Sequence, residues 1–153
     1  VLRRADAARR RVVSQAGRRL SHHRRVATIS NSSLVTRLLV SARPVSTRVA
    51  VEDDTDEGWL LLAELRAVGL EAQAASLDDI DADVAVVGCD AIFDDDGFVN
   101  RRGTSRLLAR MGSRPAIVLG EPWKLVPGPS PSSWPEPERF EVVAPTGNAT
   151  ILR

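Results

Sequence analysis

Residues 84–88 of the sequence read Val84-Ala85-Val86-Val87-Gly88, a run that is apolar throughout and rich in β-branched side chains. A strand with one face in water alternates apolar and polar residues, whereas a central strand of a parallel sheet is apolar on both faces. The run therefore predicts a buried central strand of a parallel sheet.

Strand and helix patterns alternate on both sides of this run. The predicted strands are 26–30, 48–51, 70–74, 84–88 and 115–119. The predicted helices are 2–20, 34–39, 59–68 (closed by Gly69) and 102–111. This alternation predicts an α/β fold: a doubly wound, mostly parallel, Rossmann-like sheet with helices on both faces. The extended tail segments 140–143 and 149–152 are expected to finish the edge of the sheet.

The composition fits one such domain and excludes several classes of function. The chain has 153 residues, 43% of them hydrophobic, and a formal net charge of +1. This content suffices for a core, and the charge gives no overall case for nucleic-acid or membrane binding. No apolar run reaches the length of about 18 residues that suggests a membrane span. Cys89 is the only cysteine, which excludes an intrachain disulfide and favours the cytoplasm.

Ligands of open α/β sheets bind beyond the carboxyl ends of the strands. The candidate loops are 30–33, 52–58, 89–102 and 120–124. The sequence contains no G-x-G-x-x-G, no phosphate-binding P-loop and no G-x-S-x-G. Dinucleotide-dependent and serine-hydrolase functions therefore lack their usual support, and no cofactor is expected.

Two consecutive segments carry a resemblance to a known family. They are Val87-Gly88-Cys89-Asp90-Ala91-Ile92 and Asp96-Gly97-Phe98-Val99-Asn100-Arg101-Arg102-Gly103-Thr104. Together they resemble the V-G-A-D-A-I and N/D-G-x-V-x-N-K-x-G-T pattern of the carboxy-terminal domain of the translation initiation factor 2B alpha/beta/delta family. Its enzyme relatives are methylthioribose-1-phosphate isomerase and ribose-1,5-bisphosphate isomerase. Segments 28–32, 115–119 and 140–143 are also similar, so the resemblance covers residues 12–153.

The family has a helical amino-terminal domain before this one. The resemblance thus divides the chain into a basic connecting helix, 1–25, and a Rossmann-like domain, 26–153. The chain begins at Val1 within the connecting helix, as either a fragment or a shortened relative.

The resemblance also implies the site. Asp90 matches the family's catalytic Asp at the end of a strand, where we expect it to be partly buried, and Ser30 occupies the family's catalytic Cys position. A hydroxyl is a poorer acid or base than a thiol near neutral pH, which argues against isomerase chemistry. Glu57 replaces a Gln and Asp53 an Arg, and these carboxylates repel phosphate. The implied ligand-binding residues are Asn31, Ser32, Glu57, Asn100, Arg101, Gly103 and Thr104.

These residues lead to one functional hypothesis and two alternatives. The first is a non-catalytic subunit like those of initiation factor 2B, forming a homodimer or assembling with related subunits, with a phosphorylated sugar or nucleotide as candidate ligand. The first alternative is an aldose-ketose isomerase acting on a ribose 1-phosphate derivative, and the second is an orphan sugar-phosphate binder. Nucleic-acid binding through the arginine helix is less favoured than a solvent-exposed helix face, and no membrane partner is expected.

The remaining conspicuous residues have ordinary explanations. Cys89 is predicted to be a small buried residue, and residues 94–96 a hairpin turn because the ligand spacing of a calcium loop is missing. His22 and His23 are predicted at the surface, and no metal site is expected. Trp123 is the tryptophan most expected to line the site, because it follows the last central strand.

Overall fold

A computed structural model describes residues 2–51 and 56–153 of the chain. Its helices are α1 Leu2–Leu20, α2 Ser33–Ala42, α3 Glu57–Ala67 and α4 Thr104–Met111, with a 3-10 turn at Pro122–Lys124. Its strands are β1 Arg25–Ile29, β2 Ser46–Ala50, β3 Ala72–Ala75, β4 Val84–Gly88, β5 Ala91–Ile92, β6 Phe98–Arg101, β7 Ala116–Leu119, β8 Phe140–Val143 and β9 Ala149–Leu152. The predicted loop at 52–58 lies largely outside the described residues, and its last two residues, Glu57 and Gly58, belong to α3.

The main sheet has six parallel strands in the order β3-β2-β1-β4-β7-β9. β4 is central and all its residues are buried, as its apolar sequence predicts. Val84 and Val86 face one core layer, whereas Ala85 and Val87 face the other. The predicted α/β fold with a parallel Rossmann-like sheet is confirmed.

Helices cover both faces of this sheet. α1, α2 and α3 supply apolar side chains to one core layer, and α4 supplies Leu107, Leu108 and Met111 to the other. The buried residues of α1 are Val12, Ala16 and Leu20, four positions apart, so they form one stripe of an amphipathic helix. The opposite face of α1 exposes Arg3, Arg4, Arg10, Arg11 and Arg18. In the described part of the chain, no helix combines the length and the apolar character needed to span a membrane.

The expectation for the tail is half right. β9 extends the main sheet, pairing in parallel with β7 from Ala116↔Ala149 to Leu119↔Leu152. The expectation that 140–143 also finishes this sheet is wrong, because β8 pairs antiparallel with β6 in a separate sheet of order β5-β6-β8. The β5–β6 hairpin offers an open edge on β6, and β8 satisfies its backbone groups.

The small sheet is joined to the main one directly after β4. The Asp90 N–H donates to the Val99 carbonyl (2.8 Å), and the turn closes with the Phe93 N–H on the Gly97 carbonyl (2.9 Å). Asp95 accepts hydrogen bonds from the backbone N–H and the hydroxyl of Ser130, which stabilises this turn, as predicted for residues 94–96. The small sheet therefore lies next to the carboxyl end of β4. Asn100 and Arg101 of β6 line the same pocket as the end of β4.

Candidate functional site

Two adjoining cavities lie at the carboxyl ends of the parallel strands. The inner pocket has a volume of about 230 Å³ and is lined by Ser30, Asn31, Ser32, Ser33, Leu34, Gly88, Cys89, Asp90, Asn100, Arg101, Glu121 and Lys124. The outer cleft has a volume of about 620 Å³ and is lined by Ile29, Ser30, Ala50, Asp56, Glu57, Gly58, Arg101, Arg102, Gly103, Arg106, Glu138 and Arg139. Ser30 and Arg101 line both cavities, so they stand between them.

Ser30 follows β1 in a backbone conformation that is unusual for its type. Its φ is 64°, in the left-handed region, and only 8% of the residue is exposed. Its hydroxyl has no hydrogen-bond partner among the described residues and is not fully enclosed by the protein. A polar atom of this kind, beside a cavity, is available to a bound molecule.

The amino terminus of α2 borders the inner pocket. Ser32 is the N-cap residue, with extended backbone and no capping hydrogen bond from its side chain. The first amides of a helix have no intrahelical partners and carry partial positive charge, so this end of α2 suits an anionic group. Gly88 makes the arrangement possible, because a Cβ at that position would lie 2.7 Å from Ser32 Oγ.

Asp90 lines the inner pocket at the end of β4, as predicted, but its side chain is exposed. The expectation that it is partly buried is wrong, because the residue sits at the mouth of the pocket between β4 and the small sheet. Asp90 therefore contacts both the solvent and the inner pocket. A carboxylate in this position can accept hydrogen bonds from ligand hydroxyls.

Arg101 and Glu57 form an ion pair between the two cavities. Arg101 is the last residue of β6 and Glu57 the first of α3, and their side chains are 24% and 27% exposed. The Arg101 guanidinium also lies over the ring of Phe140, 4.5 Å from its centroid. The guanidinium of Arg101 is thus held in place by Phe140 and paired with the carboxylate of Glu57.

Asn100, Gly103 and Thr104 shape the turn that presents Arg101. Asn100 Nδ2 donates to Thr104 Oγ1 (3.0 Å), and Thr104 Oγ1 donates to the Arg101 carbonyl (2.6 Å). Both side chains are buried. Gly103 has φ 99°, and a Cβ there would lie 2.9 Å from Ile29 Cδ1, so glycine fits both the backbone and the packing.

The amino terminus of α4 begins directly after Gly103, one of the implied ligand-binding residues. There the Ser105 N–H donates to Glu141 Oε1 at 2.9 Å, so a carboxylate of the protein already occupies this helix end. The amino terminus of α2 has no such side chain in its cap. Of the two helix ends, α2 is the one open to a ligand anion.

Cys89 borders the inner pocket but is turned into the core, as predicted for a small buried residue. It is 3% exposed, and its Sγ lies 3.5 Å from the Leu119 carbonyl oxygen. Burial raises the pKa of the Cys89 thiol to about 12, and the opposing effect of Lys124 is smaller. A thiol with this pKa carries almost no thiolate at neutral pH and is a poor nucleophile.

Loop 120–124 also brings two charged residues to the site, Glu121 and Lys124, that no motif in the sequence marks. Glu121 is 6% exposed and pairs with Arg9 of α1 (2.7 Å) and with Lys124 (3.2 Å). Burial alone would raise the pKa of Glu121, but the Arg9 hydrogen bond and the Lys124 charge outweigh it, so this pKa is lowered. Lys124 Nζ also donates to the Cys89 carbonyl (2.5 Å), which anchors the loop to the end of β4.

The role expected of Trp123 is not supported. Its side chain is 51% exposed, lies 5.3 Å from the Arg9 guanidinium and belongs to neither cavity. The 3-10 turn directs Lys124 to the pocket and Trp123 to α1.

Most of the charged residues of the outer cleft were not predicted from the sequence. They are Arg102, Arg106, Glu138 and Arg139, from the start of α4 and the long loop before β8. Arg102 Nε donates to the Pro137 carbonyl (2.8 Å), so the loop and the helix start are tied together. Loop residues without a motif give no signal in a single sequence. No cluster of three metal-ligating side chains occurs among residues 2–51 and 56–153.

A model of the Initiation factor 2 subunit family matches residues 1–142 of the chain. Among solved structures, translation initiation factor eIF-2B of Pyrococcus horikoshii OT3 is similar with a TM-score of 0.83 at 23% identity, covering 99% of this chain and 64% of that one. The tetrameric eIF2B-beta2-delta2 complex of C. thermophilum is similar with a TM-score of 0.80 at 17% identity, covering 99% of this chain and 57% of that one. The comparison with curated proteins gives no match.

At these identities the structural likeness establishes the fold. The chain spans less than two thirds of the length of these structures. A third similar structure, eIF2B delta of Chaetomium thermophilum, has a TM-score of 0.78 at 18% identity and is covered over 55% of its length, while 96% of this chain is aligned.

Proposed function

Because this chain belongs to the initiation factor 2 subunit family, we propose that it is a non-catalytic, eIF2B-like subunit that assembles with related subunits or with a second copy of itself. Assembly is supported by one structure of the same fold, a tetrameric complex of beta and delta subunits. The inner pocket would then serve as a ligand site of the assembled protein. The single cysteine of the chain, Cys89, is free and buried, which supports a reducing compartment such as the cytoplasm.

The proposed ligand is a phosphorylated sugar or a nucleotide. The inner pocket combines the open amino terminus of α2 with the unpartnered hydroxyl of Ser30 and the exposed carboxylate of Asp90. The helix end suits a phosphate, and the other two groups suit the hydroxyls of a sugar. The pocket is also small and polar, which excludes large apolar ligands.

The observation that carries the non-catalytic assignment is the environment of Ser30. Aldose-ketose isomerisation needs an acid and a base beside the reacting carbons. In the family's Cys position the chain has a hydroxyl, and no described residue hydrogen-bonds to that hydroxyl to activate it. The only cysteine points into the core with a pKa of about 12.

The assembly part of this proposal is tested by measuring the oligomeric state. Sedimentation velocity and native mass spectrometry of the purified chain, alone and mixed with eIF2B beta and delta subunits, should show a dimer or a mixed complex. A strictly monomeric chain that captures neither subunit would contradict the assembly proposal.

A thermal-shift screen tests the ligand, with ribose 1,5-bisphosphate, methylthioribose 1-phosphate, ribose 5-phosphate, AMP and GDP as probes. A ligand at a hundred times its dissociation constant stabilises a fold by about 2.7 kcal/mol. The stabilisation should be lost in Asp90→Asn and kept in Glu64→Gln, which removes an exposed carboxylate on α3. Absence of stabilisation by all five compounds would contradict the ligand proposal.

A second candidate function is isomerisation of a ribose 1-phosphate derivative. It is favoured by one observation, that Ser30, Asp90 and Asn100 line the same pocket. Under this alternative, wild-type protein converts ribose 1,5-bisphosphate or methylthioribose 1-phosphate, and Ser30→Cys converts it faster. Under the non-catalytic proposal, the wild type is inactive toward both compounds.

A further inference from the structure

The ion pair between Arg101 and Glu57 has a consequence for the charge of the ligand. The geometry points to Glu57 as a specificity-determining residue that keeps free phosphate away from Arg101 and leaves this cation to the hydroxyl-bearing part of a ligand. This inference rests on the proposed ligand-binding function and specifies the orientation of the ligand in the same site.

Arg101 is held on two sides before any ligand arrives. The Glu57 carboxylate pairs with its guanidinium, and the Phe140 ring lies beneath it at 4.5 Å. Because both charged side chains are about three-quarters buried, their attraction is screened less than that of a surface pair. Arg101 is therefore held in one position, and its positive charge is already paired with the negative charge of Glu57.

A phosphate at Arg101 would have to displace Glu57 or lie beside its carboxylate. The first loses the existing ion pair, and the second places two like charges within a few ångströms. A hydroxyl avoids both costs, because it can accept from the guanidinium while it donates to the carboxylate. The pair thus favours an uncharged polyol over an anion at this point of the site.

The anionic end of the ligand then belongs on the other side of Ser30. Ser30 lines both cavities, is 8% exposed and has a hydroxyl with no partner among the described residues. Beyond it lies the amino terminus of α2, whose N-cap side chain makes no capping hydrogen bond. The site is thereby matched to a molecule with one phosphate and a body rich in hydroxyls.

The test compares Glu57→Gln with Glu138→Gln by isothermal titration with inorganic phosphate and with ribose 5-phosphate. Both substitutions remove one carboxylate from the outer cleft, but Glu138 is exposed and has no ion pair with Arg101. We expect Glu57→Gln to bind phosphate at least about tenfold more tightly than the wild type, equivalent to about 1.4 kcal/mol. Glu138→Gln should change the affinity by less than about threefold, because its carboxylate acts only through the general field of the cleft.

The double variant Glu57→Gln/Arg101→Gln shows whether the gain passes through Arg101, and it should lose the gain. Glu57→Ala gives a second reading should the amide introduced by Glu57→Gln form a new hydrogen bond to Arg101, and circular dichroism confirms that each variant is folded.

The outcomes separate this inference from the proposed function. A gain in phosphate affinity in both Glu57→Gln and Glu57→Ala supports the inference. Failure of the wild type to bind ribose 5-phosphate would contradict the proposed ligand site, even where this gain is seen. Equal gains in Glu57→Gln and Glu138→Gln, or a gain that survives loss of Arg101, would overturn the inference. An unchanged phosphate affinity in Glu57→Gln would also overturn the inference. In that case, binding of ribose 5-phosphate by the wild type would still support the proposed ligand site.

Discussion

Arg9 and Glu121 lie 112 positions apart in the sequence and are joined by an ion pair of 2.7 Å. Arg9 belongs to α1, and Glu121 follows β7 at the rim of the inner pocket. Lys124 pairs with the same carboxylate and donates to the Cys89 carbonyl. A helix that lines neither cavity is thereby connected to the loop that closes one side of the site.

The first prediction concerns the stability contributed by Arg9. In Arg9→Gln the nearly buried Glu121 carboxylate keeps only Lys124 as a charged partner. Because hydrogen bonds to charged groups contribute about 1.5–3 kcal/mol, we expect the free energy of unfolding to fall by about 1–2 kcal/mol, the lower end reflecting the partial exposure of Arg9. Urea unfolding followed by circular dichroism measures this change.

Arg11→Gln is the matched control, since Arg11 is an exposed arginine on the same helix. Its effect should stay within about 0.5 kcal/mol, as for most surface substitutions. Equal losses in the two variants would show that helix propensity or net charge, and not the Glu121 pair, explains the result.

The second prediction is a pH dependence that belongs to Glu121. Its pKa is lowered in the folded state, so the folded protein binds its proton less readily than the unfolded chain does. Its stabilisation is complete above the unfolded-state pKa of about 4.3 and is lost as the pH falls through the lower folded-state pKa. The stability difference between the wild type and Glu121→Gln should therefore be largest near neutral pH and shrink below about pH 4.

A difference measurement is needed because other carboxylates also act in acid. Hydrogen bonds from Arg25 lower the pKa of Asp83, so the wild type loses further stability as the pH falls. Glu64→Gln serves as the control, with an exposed carboxylate on α3. If the stability curves of the wild type and Glu121→Gln run parallel from pH 7 to pH 3, the pairing of Glu121 has been misassigned.

The third prediction concerns Gly88, where the end of β4 approaches α2. In Gly88→Ala the new Cβ would lie 2.7 Å from Ser32 Oγ and 2.9 Å from Ser32 Cβ. We expect a loss of about 1–3 kcal/mol in the free energy of unfolding, which is typical of overpacking. The displaced α2 terminus should also weaken binding of any phosphorylated ligand found in the thermal-shift screen.

Two further variants identify the cause. Gly147→Ala should be nearly neutral, because a Cβ there has no atom within 4 Å. Adding Ser32→Gly to Gly88→Ala removes the clashing atoms and should recover most of the stability. Failure of this recovery would place the strain elsewhere than at Ser32.

The fourth prediction concerns the reactivity of Cys89. The thiol is 3% exposed and has a pKa of about 12, whereas an unfolded cysteine has a pKa of about 8.5. Labelling by a disulfide reagent at pH 8 should therefore be at least about a hundredfold slower in the native protein than in the urea-unfolded chain. Native labelling close to the unfolded rate would mean that the thiol is accessible and would reopen a catalytic role.

The parts of the fold that depend on local pattern could be predicted from the sequence. The apolar run of β4 and the stripe Leu34, Val35, Leu38 and Leu39 of α2 depend on neighbouring residues alone. The alternation of such elements then restricts the fold to a parallel α/β sheet and places the loops after β1, β4 and β7 at one edge. Ser30, Asn31, Ser32 and Asp90 lie in these loops and line the inner pocket.

What could not be predicted depends on partners distant in sequence. The pairing of β8 with β6 depends on which edge is open in the folded protein, and nothing in Phe140–Val143 distinguishes a main-sheet strand from a small-sheet strand. The pairing of Glu57 with Arg101 spans 44 positions by their numbering and joins the start of α3 to the end of β6. The sign of each charge can therefore be read from the sequence, but which opposite charges form an ion pair cannot.

The position of α1 also bears on how the protein is made. The apolar stripe of α1 packs against α2 and against the side of β7 and β9, so the first helix is completed by the last strands of the sheet. During synthesis on the ribosome, β7 and β9 emerge long after α1, and until then part of this stripe lacks the cover that these strands give it in the folded protein. Until β9 has been made, the apolar stripe of α1 is therefore partly open to aggregation unless temporary packing or a chaperone covers it.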